Sequence, residues 1–253
     1  MNKPEKTLFN ILMVVGIVIF VLSVVMIARH YILGYKYQND FKKISYLAPL
    51  PSSQHSEQTD EEYTPEEFYL YLKYQNKDTR AYITIPDTDV AYPVMYTFDQ
   101  PEYYLRRDFS KNYSRYGTPF YETECADYGH TRIIYGHHIS GKKMFGELLN
   151  YKDENYLLSH DTIYLYNENG EQKYKVFAAL YTVGNDPDQI FWRAINGLFT
   201  EEEYQTYLDD IKSKSAVFVD YLVPEPLTDL LILSTCEYSV NDGRFLLYAA
   251  QID

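Results

Sequence analysis

From Leu8 to Ala28 the chain is almost uninterruptedly apolar, about 21 residues broken only by Asn10, Gly16 and Ser23. At roughly 1.5 Å per residue a helix of that length crosses a hydrocarbon layer of about 30 Å. The run therefore separates an apolar N-terminal appendage from a remainder that must build its own core. A cleaved signal peptide would carry a shorter apolar stretch, about 7 to 15 residues, and small residues before the cut site. Here the run is longer and ends in Met26-Ile27-Ala28-Arg29-His30-Tyr31, which favours a retained anchor. Lys3 and Lys6 precede it while Arg29, Lys36, Lys42 and Lys43 follow it, so the distribution of positive charge leaves its orientation open.

After the span comes Pro49-Leu50-Pro51-Ser52-Ser53-Gln54-His55-Ser56-Glu57-Gln58, which lacks periodic apolar positions and reads as a spacer. The expected organisation is a tail and anchor over 1–30, a stalk over 31–63 and one folded domain over 64–253. A chain of 253 residues with 46% hydrophobic residues supplies one sizeable core plus the appendage. The net charge of −13 and the lack of a basic stripe interleaved with aromatics exclude a phosphate backbone as partner. The basic residues from Arg29 to Lys43 suit either anionic headgroups or a solvated stalk.

The domain is expected to open with a helix from about Pro65. Thr64 is its N-cap, Glu66 and Glu67 sit in its first turn, and Phe68, Tyr71 and Leu72 form its apolar face. Short β-like runs follow at 81–85, 90–94, 118–121, 131–135, 162–166, 174–182, 229–234 and 245–250. Turn signals such as Pro86-Asp87-Thr88-Asp89 and Glu168-Asn169-Gly170 separate them. Eight or so short strands with few helices predict a closed or nearly closed β-barrel rather than a βαβ sheet. Thr200 followed by Glu201, Glu202 and Glu203, with Tyr204, Tyr207, Leu208 and Ile211 at helical spacing, predicts a capped amphipathic helix inserted in the strand series. A shorter helix is expected over about Lys143 to Tyr151.

Cys236 ends the apolar run Leu230-Leu231-Ile232-Leu233-Ser234-Thr235, with Gly243-Arg244 opening the next strand and His137-His138 closing an earlier one. A thiol, an imidazole from a distant segment and a guanidinium are the parts that form a thiolate, move protons and hold an oxyanion. If the last two strands are antiparallel neighbours, Arg244 reaches the thiol end of the first. Adjacent strand residues point to opposite faces, so one histidine of the pair faces Cys236. Unperturbed values of about 6.5 for histidine and 8.5 for cysteine favour the neutral pair, and hence a slow enzyme. The alternatives are a buried apolar thiol, a disulfide with Cys125, and a metal site of Cys125, His130, His137 and His138, whose spacing lacks the tight pairing of common zinc sites.

The pattern Ile134-Tyr135-Gly136-His137-His138, Met144-Phe145-Gly146-Glu147-Leu148, Leu233-Ser234-Thr235-Cys236 and Arg244 resembles the sortase transpeptidases of Gram-positive cell surfaces, class B above all. The resemblance extends through Tyr92-Pro93-Val94, Tyr104-Leu105 with Asp108-Phe109, and Gly117-Thr118 before Phe120. It also places the helix near Thr200 where class B members carry an extra one. It implies a mainly β, eight-stranded sortase barrel behind an N-terminal transmembrane helix. It further implies Cys236 as nucleophile, His137 as acid and base, Arg244 as oxyanion donor, and no metal or organic cofactor. The substrate would be a surface protein bearing an Asn-Pro-x-Thr-like sorting signal, and the acceptor an amine of peptidoglycan precursor or of another protein. The N-terminus would then be cytoplasmic and the domain external. Ile232 stands where the family has threonine, Pro101 where many members have asparagine, and the tryptophan expected near Ala81-Tyr82 is absent. Tyr135, Ser234 and Glu237 flank the expected machinery and are candidate groove contacts.

Two other readings use the same residues. A hydrolytic cysteine protease would pass the acyl group to water, although the common papain arrangement runs Cys before His and adds Asn. A tethered, non-catalytic interaction module would use some of the 29 tyrosines as a binding surface.

Overall fold

In the computed structural model, residues 3–46, 63–122, 131–139, 141, 143–185, 200–223 and 229–252 are described. The chain divides into two units, Met1–Tyr46 and Leu47–Asp253. The first is one helix, α1 (Lys3–Tyr46), within which Asn10–Arg29 is long and apolar enough to cross a membrane. Its side chains over that stretch are exposed, and Ser23 turns its hydroxyl back onto the Ile19 carbonyl at 2.9 Å, which satisfies the polar group within the helix. The helix continues to Tyr46, beyond the anchor boundary expected near residue 30. The Pro-rich spacer at 49–58 lies outside the described residues.

The second unit opens with α2 (Pro65–Gln75), where Thr64 and Glu67 form the reciprocal capping box. Phe68, Tyr69 and Leu72 are buried, and Phe68 meets Tyr82 edge-on at 4.9 Å, which seats the helix on the barrel wall. Tyr71, expected on that face, is half-buried. The strands are β1 (Thr79–Thr84), β2 (Ala91–Met95), β3 (Phe120–Tyr121), β4 (Thr131–Tyr135), β5 (His138–Ile139), β6 (Lys143–Met144), β7 (Thr162–Asn167), β8 (Gly170–Val183), β9 (Ser215–Phe218), β10 (Leu230–Cys236) and β11 (Gly243–Gln251). Their order is β11-β10-β4-β3-β2-β1-β7-β8, and β8 pairs back onto β11, so eight strands close into a barrel. The strand β9 adds to the free edge of β8, and β5 and β6 form a separate small hairpin.

Each strand expected from the sequence is present, with ends shifted by a few residues. The short helix expected from Lys143 is not there. Lys143 and Met144 instead pair with β5, Met144 takes a φ of 54° while its N–H donates to the Tyr92 hydroxyl at 3.0 Å, and a 3₁₀ helix runs over Phe145–Lys152. That left-handed residue and the hairpin pairing stop an α-helix from starting at Lys143. A one-and-a-half-turn helix, α3 (Glu154–Ser159), follows.

The inserted helix α4 (Glu201–Lys214) carries the expected capping box of Thr200 and Glu203. Its buried Tyr204, Tyr207, Leu208 and Ile211 join one apolar cluster with Ile133, Leu230, Ile232, Leu246 and Tyr248. Leu230 and Ile232 of β10 therefore face outward beneath α4, and Leu231 and Leu233, fully buried, face the barrel interior. Ile232 packs in that cluster.

Candidate active site

Two pairings bring the candidate residues to one level. The strands β4 and β10 run parallel with Tyr135 beside Ser234, and the pairing continues past the strand end: Gly136 N–H donates to the Ser234 carbonyl at 3.0 Å, and Thr235 Oγ1 to the Gly136 carbonyl at 2.8 Å. The strands β10 and β11 are antiparallel with Cys236 directly opposite Arg244. Residues opposite one another across a ladder share a face, so thiol and guanidinium lie side by side. A groove of about 370 Å³ opens there, and Tyr135, His137, Ser234, Cys236 and Arg244 all line it.

His137 stands on the groove wall with Nε2 2.8 Å from the Leu105 carbonyl. A carbonyl only accepts, so Nε2 carries the hydrogen and Nδ1 of the neutral ring is the basic nitrogen. The seat is tight. Gly117 lies behind the ring at φ +59°, and a Cβ there would stand 2.7 Å from the Leu105 oxygen, 2.8 Å from the Tyr104 oxygen and 3.1 Å from His137 Cδ2. Burial pushes the His137 pKa below its ordinary value; the Leu105 carbonyl opposes this and the charge of Arg106 adds to it. Among the described residues no hydrogen bond joins the Cys236 thiol to the ring, and Cys236 is a free, half-buried cysteine. The lowered pKa of His137 favours the neutral form of its ring.

His138 faces away from the groove. Its Nδ1 lies 3.0 Å from the Cys236 carbonyl and its ring stacks on Tyr238 with centroids 5.1 Å apart, so it braces the main chain of the thiol residue. Ser234 is 1% exposed and, among the described residues, its hydroxyl has no hydrogen-bond partner although it lines the groove. A buried hydroxyl left unsatisfied is costly unless a ligand completes it. Tyr135 lies against Phe120 with ring centroids 5.6 Å apart. Glu237, by contrast, turns onto the next turn, where its carboxylate accepts from Ser239 N–H and Oγ, and it does not line the groove.

Three further contributions to the site were not among the expected ones: the Leu105 carbonyl, the glycine behind the ring and Asp242, whose Oδ1 is 2.8 Å from Arg244 Nη2. Leu105 and Gly117 lie in the family pattern, and Asp242 stands as a carboxylate two residues before the arginine. Cys125 and His130, with the disulfide and metal readings that used them, lie outside the described residues.

A barrel whose strand ends meet at this groove and supply a thiol, an imidazole and a guanidinium has the make-up of an acyl-transferring cysteine enzyme. The sortase domain family matches residues 83–252, and the chain belongs to that family, whose members are cysteine transpeptidases that process surface proteins. The likeness is to class B. Sortase B of Staphylococcus aureus is 29% identical over 252 residues, covering 98% of this chain and 96% of that one. The solved structure of a Staphylococcus aureus sortase B–substrate complex aligns with a TM-score of 0.64 at 28% identity, covering 74% of this chain and 86% of that one. A mutant form of Clostridium perfringens sortase B shares the fold with a TM-score of 0.70 at 24% identity, covering 85% and 98%.

Proposed function

We propose that the protein is a membrane-anchored transpeptidase that cleaves an Asn-Pro-x-Thr-like sorting signal and joins the new carboxyl end to an amine of peptidoglycan precursor or of another protein. Cys236 adds to the threonine carbonyl as His137 takes the thiol proton, and Arg244 meets the oxyanion. Collapse of the tetrahedral adduct breaks the peptide bond, and His137 gives the leaving amine its proton. The acceptor amine then attacks the thioester, His137 takes its proton, and the thiol is restored. Ser234 and Tyr135 contact the bound signal, and Glu237 shapes the turn beside it.

The observation that carries this reading is the shared groove, where Cys236 faces Arg244 in register, His137 stands on the wall, and the buried Ser234 hydroxyl has no partner among the described residues. A sortase B solved in complex with a triglycine peptide supports an amine acceptor of glycine type. The apolar helix over Asn10–Arg29 supports the anchor. Substrate and acceptor lie outside the cell, which puts the N-terminus in the cytoplasm.

The test uses the full-length protein in detergent with Asn-Pro-x-Thr-Gly-type peptides and triglycine, read by mass spectrometry. An acyl adduct on Cys236 that passes to triglycine is the expected result, absent in Cys236→Ala and His137→Ala. Release of free acid at a rate and yield indifferent to triglycine would overturn transpeptidation in favour of hydrolysis.

A further inference from the structure

Arg244 is tethered on both of its terminal nitrogens. Nη2 lies 2.8 Å from Asp242 Oδ1, while Nη1 donates to the main-chain carbonyls of Asp242 at 3.2 Å and Gly243 at 3.1 Å. A guanidinium is planar, so fixing both Nη atoms fixes the plane and leaves Nε–H and the second Nη2 hydrogen for a ligand. Asp242 is held in turn: its main chain takes a φ of 55°, and its carbonyl accepts from Gly184 N–H at 2.8 Å. Gly184, just past the end of β8, is the matching gap. A Cβ there would stand 2.5 Å from Asp242 Oδ2 and 3.0 Å from Arg244 Nη2. A left-handed carboxylate residue, two main-chain carbonyls and a glycine thus converge on the orientation of one guanidinium.

The pair does little for stability. The Asp242 and Arg244 side chains are 48% and 28% exposed, and ion pairs in contact with solvent contribute little. What the pair does supply is geometry beside a reacting thiol. An oxyanion site works when its donors are already aimed before charge develops.

We propose that Asp242 is a positioning residue for acyl transfer, holding the Arg244 guanidinium in the plane that meets the oxyanion formed on addition of Cys236. The proposal rests on the oxyanion role assigned to Arg244 above. Asparagine tolerates a left-handed backbone and keeps the shape of aspartate, so Asp242→Asn removes the charge with the fold kept.

In full-length protein acting on the Asn-Pro-x-Thr-Gly-type peptide, Asp242→Asn should lower kcat about tenfold and leave KM within about twofold, because the oxyanion exists only past the ground state. Gly184→Ala, which wedges a methyl into the pair, should do the same. Alkylation of Cys236 by iodoacetamide passes through no oxyanion and should not slow. In the Arg244→Ala background, Asp242→Asn should have no further effect. The Arg244 Nε–H resonance, read without any substrate, should lose order in Asp242→Asn. A kcat within twofold of wild type, an undiminished effect in the Arg244→Ala background, or an equally ordered guanidinium overturns the positioning role alone. Wild-type transfer by Arg244→Ala overturns the oxyanion role and the positioning role with it.

Discussion

The outward face of β10 is used in two ways along seven residues. Leu230 and Ile232 lie beneath α4 in a closed apolar cluster, whereas Ser234 and Cys236, on the same face two and four residues further on, line an open groove. Both halves share the antiparallel ladder with β11, and β4 runs beside the strand as far as Ser234. The difference is the roof: the cluster set by Tyr204, Tyr207, Leu208 and Ile211 covers the first half and stops short of the second. Where it stops, the wall passes to His137 from the β4–β5 turn and Arg244 from β11, and the residue types change from branched aliphatics to a hydroxyl and a thiol. One strand thus serves as core and as reaction floor, and the inserted helix decides where one ends and the other begins.

The sharpest way to break this comparison is a pair of truncations on that one face. Cys236→Ala should abolish acyl transfer while the melting temperature stays within a degree or two, since a thiol on an open groove contributes little to packing. Ile232→Ala should instead cost about 2–5 kcal/mol in a denaturant titration through lost burial and a residual cavity. Loss of stability in the first or none in the second would show that the two halves are not divided as described.

A smaller effect tests the wall. Burial lowers the His137 pKa in the folded protein, so below the unfolded value of about 6.5 the unfolded chain binds the extra proton first. Stability from this residue is therefore full above that pH and is lost as acid approaches the lower folded value. Melting curves between pH 7.5 and 5 should show a decline that His137→Gln removes. An acid response unchanged in His137→Gln would place its origin elsewhere.

The smallest effect sharpens the edge of the roof. Thr200→Ala should destabilise by about 1 kcal/mol through loss of the N-cap, since the hydroxyl accepts from Glu203 N–H at 3.2 Å. The matching Thr64→Ala on α2 should cost a similar amount, and neither should change the chemistry of Cys236. A fall in kcat for Thr200→Ala alone would mean that the start of α4 shapes the groove as well as the core.

Much of this was legible in the sequence because the signals are local. Alternation of apolar residues marked the strands, and Thr-x-x-Glu marked the starts of α2 and α4, where the caps formed as expected. Gly136-His137 and Thr235-Cys236 carried the family pattern. The segment from Lys143 misled because its apolar spacing suits a helix, while the pairing of His138 with Met144 draws its first residues into a hairpin. Glu237 misled by adjacency to the thiol, since its carboxylate serves the Ser239 turn instead. Leu105 belongs to the family pattern but gave no sign of its role, because its contribution is a carbonyl, which every residue has.

By itself the sequence determined the periodic elements, the apolar span and the identities of the thiol, imidazole and guanidinium, because propensity, capping and side-chain chemistry are written residue by residue. Only the tertiary structure decided which histidine faces the groove, which ring nitrogen carries the hydrogen, and that Asp242 and Gly184 frame Arg244. Those outcomes depend on which strand ends meet when the barrel closes between β8 and β11, and on contacts between residues up to about a hundred positions apart. No local pattern encodes a contact whose two halves lie that far apart in the chain.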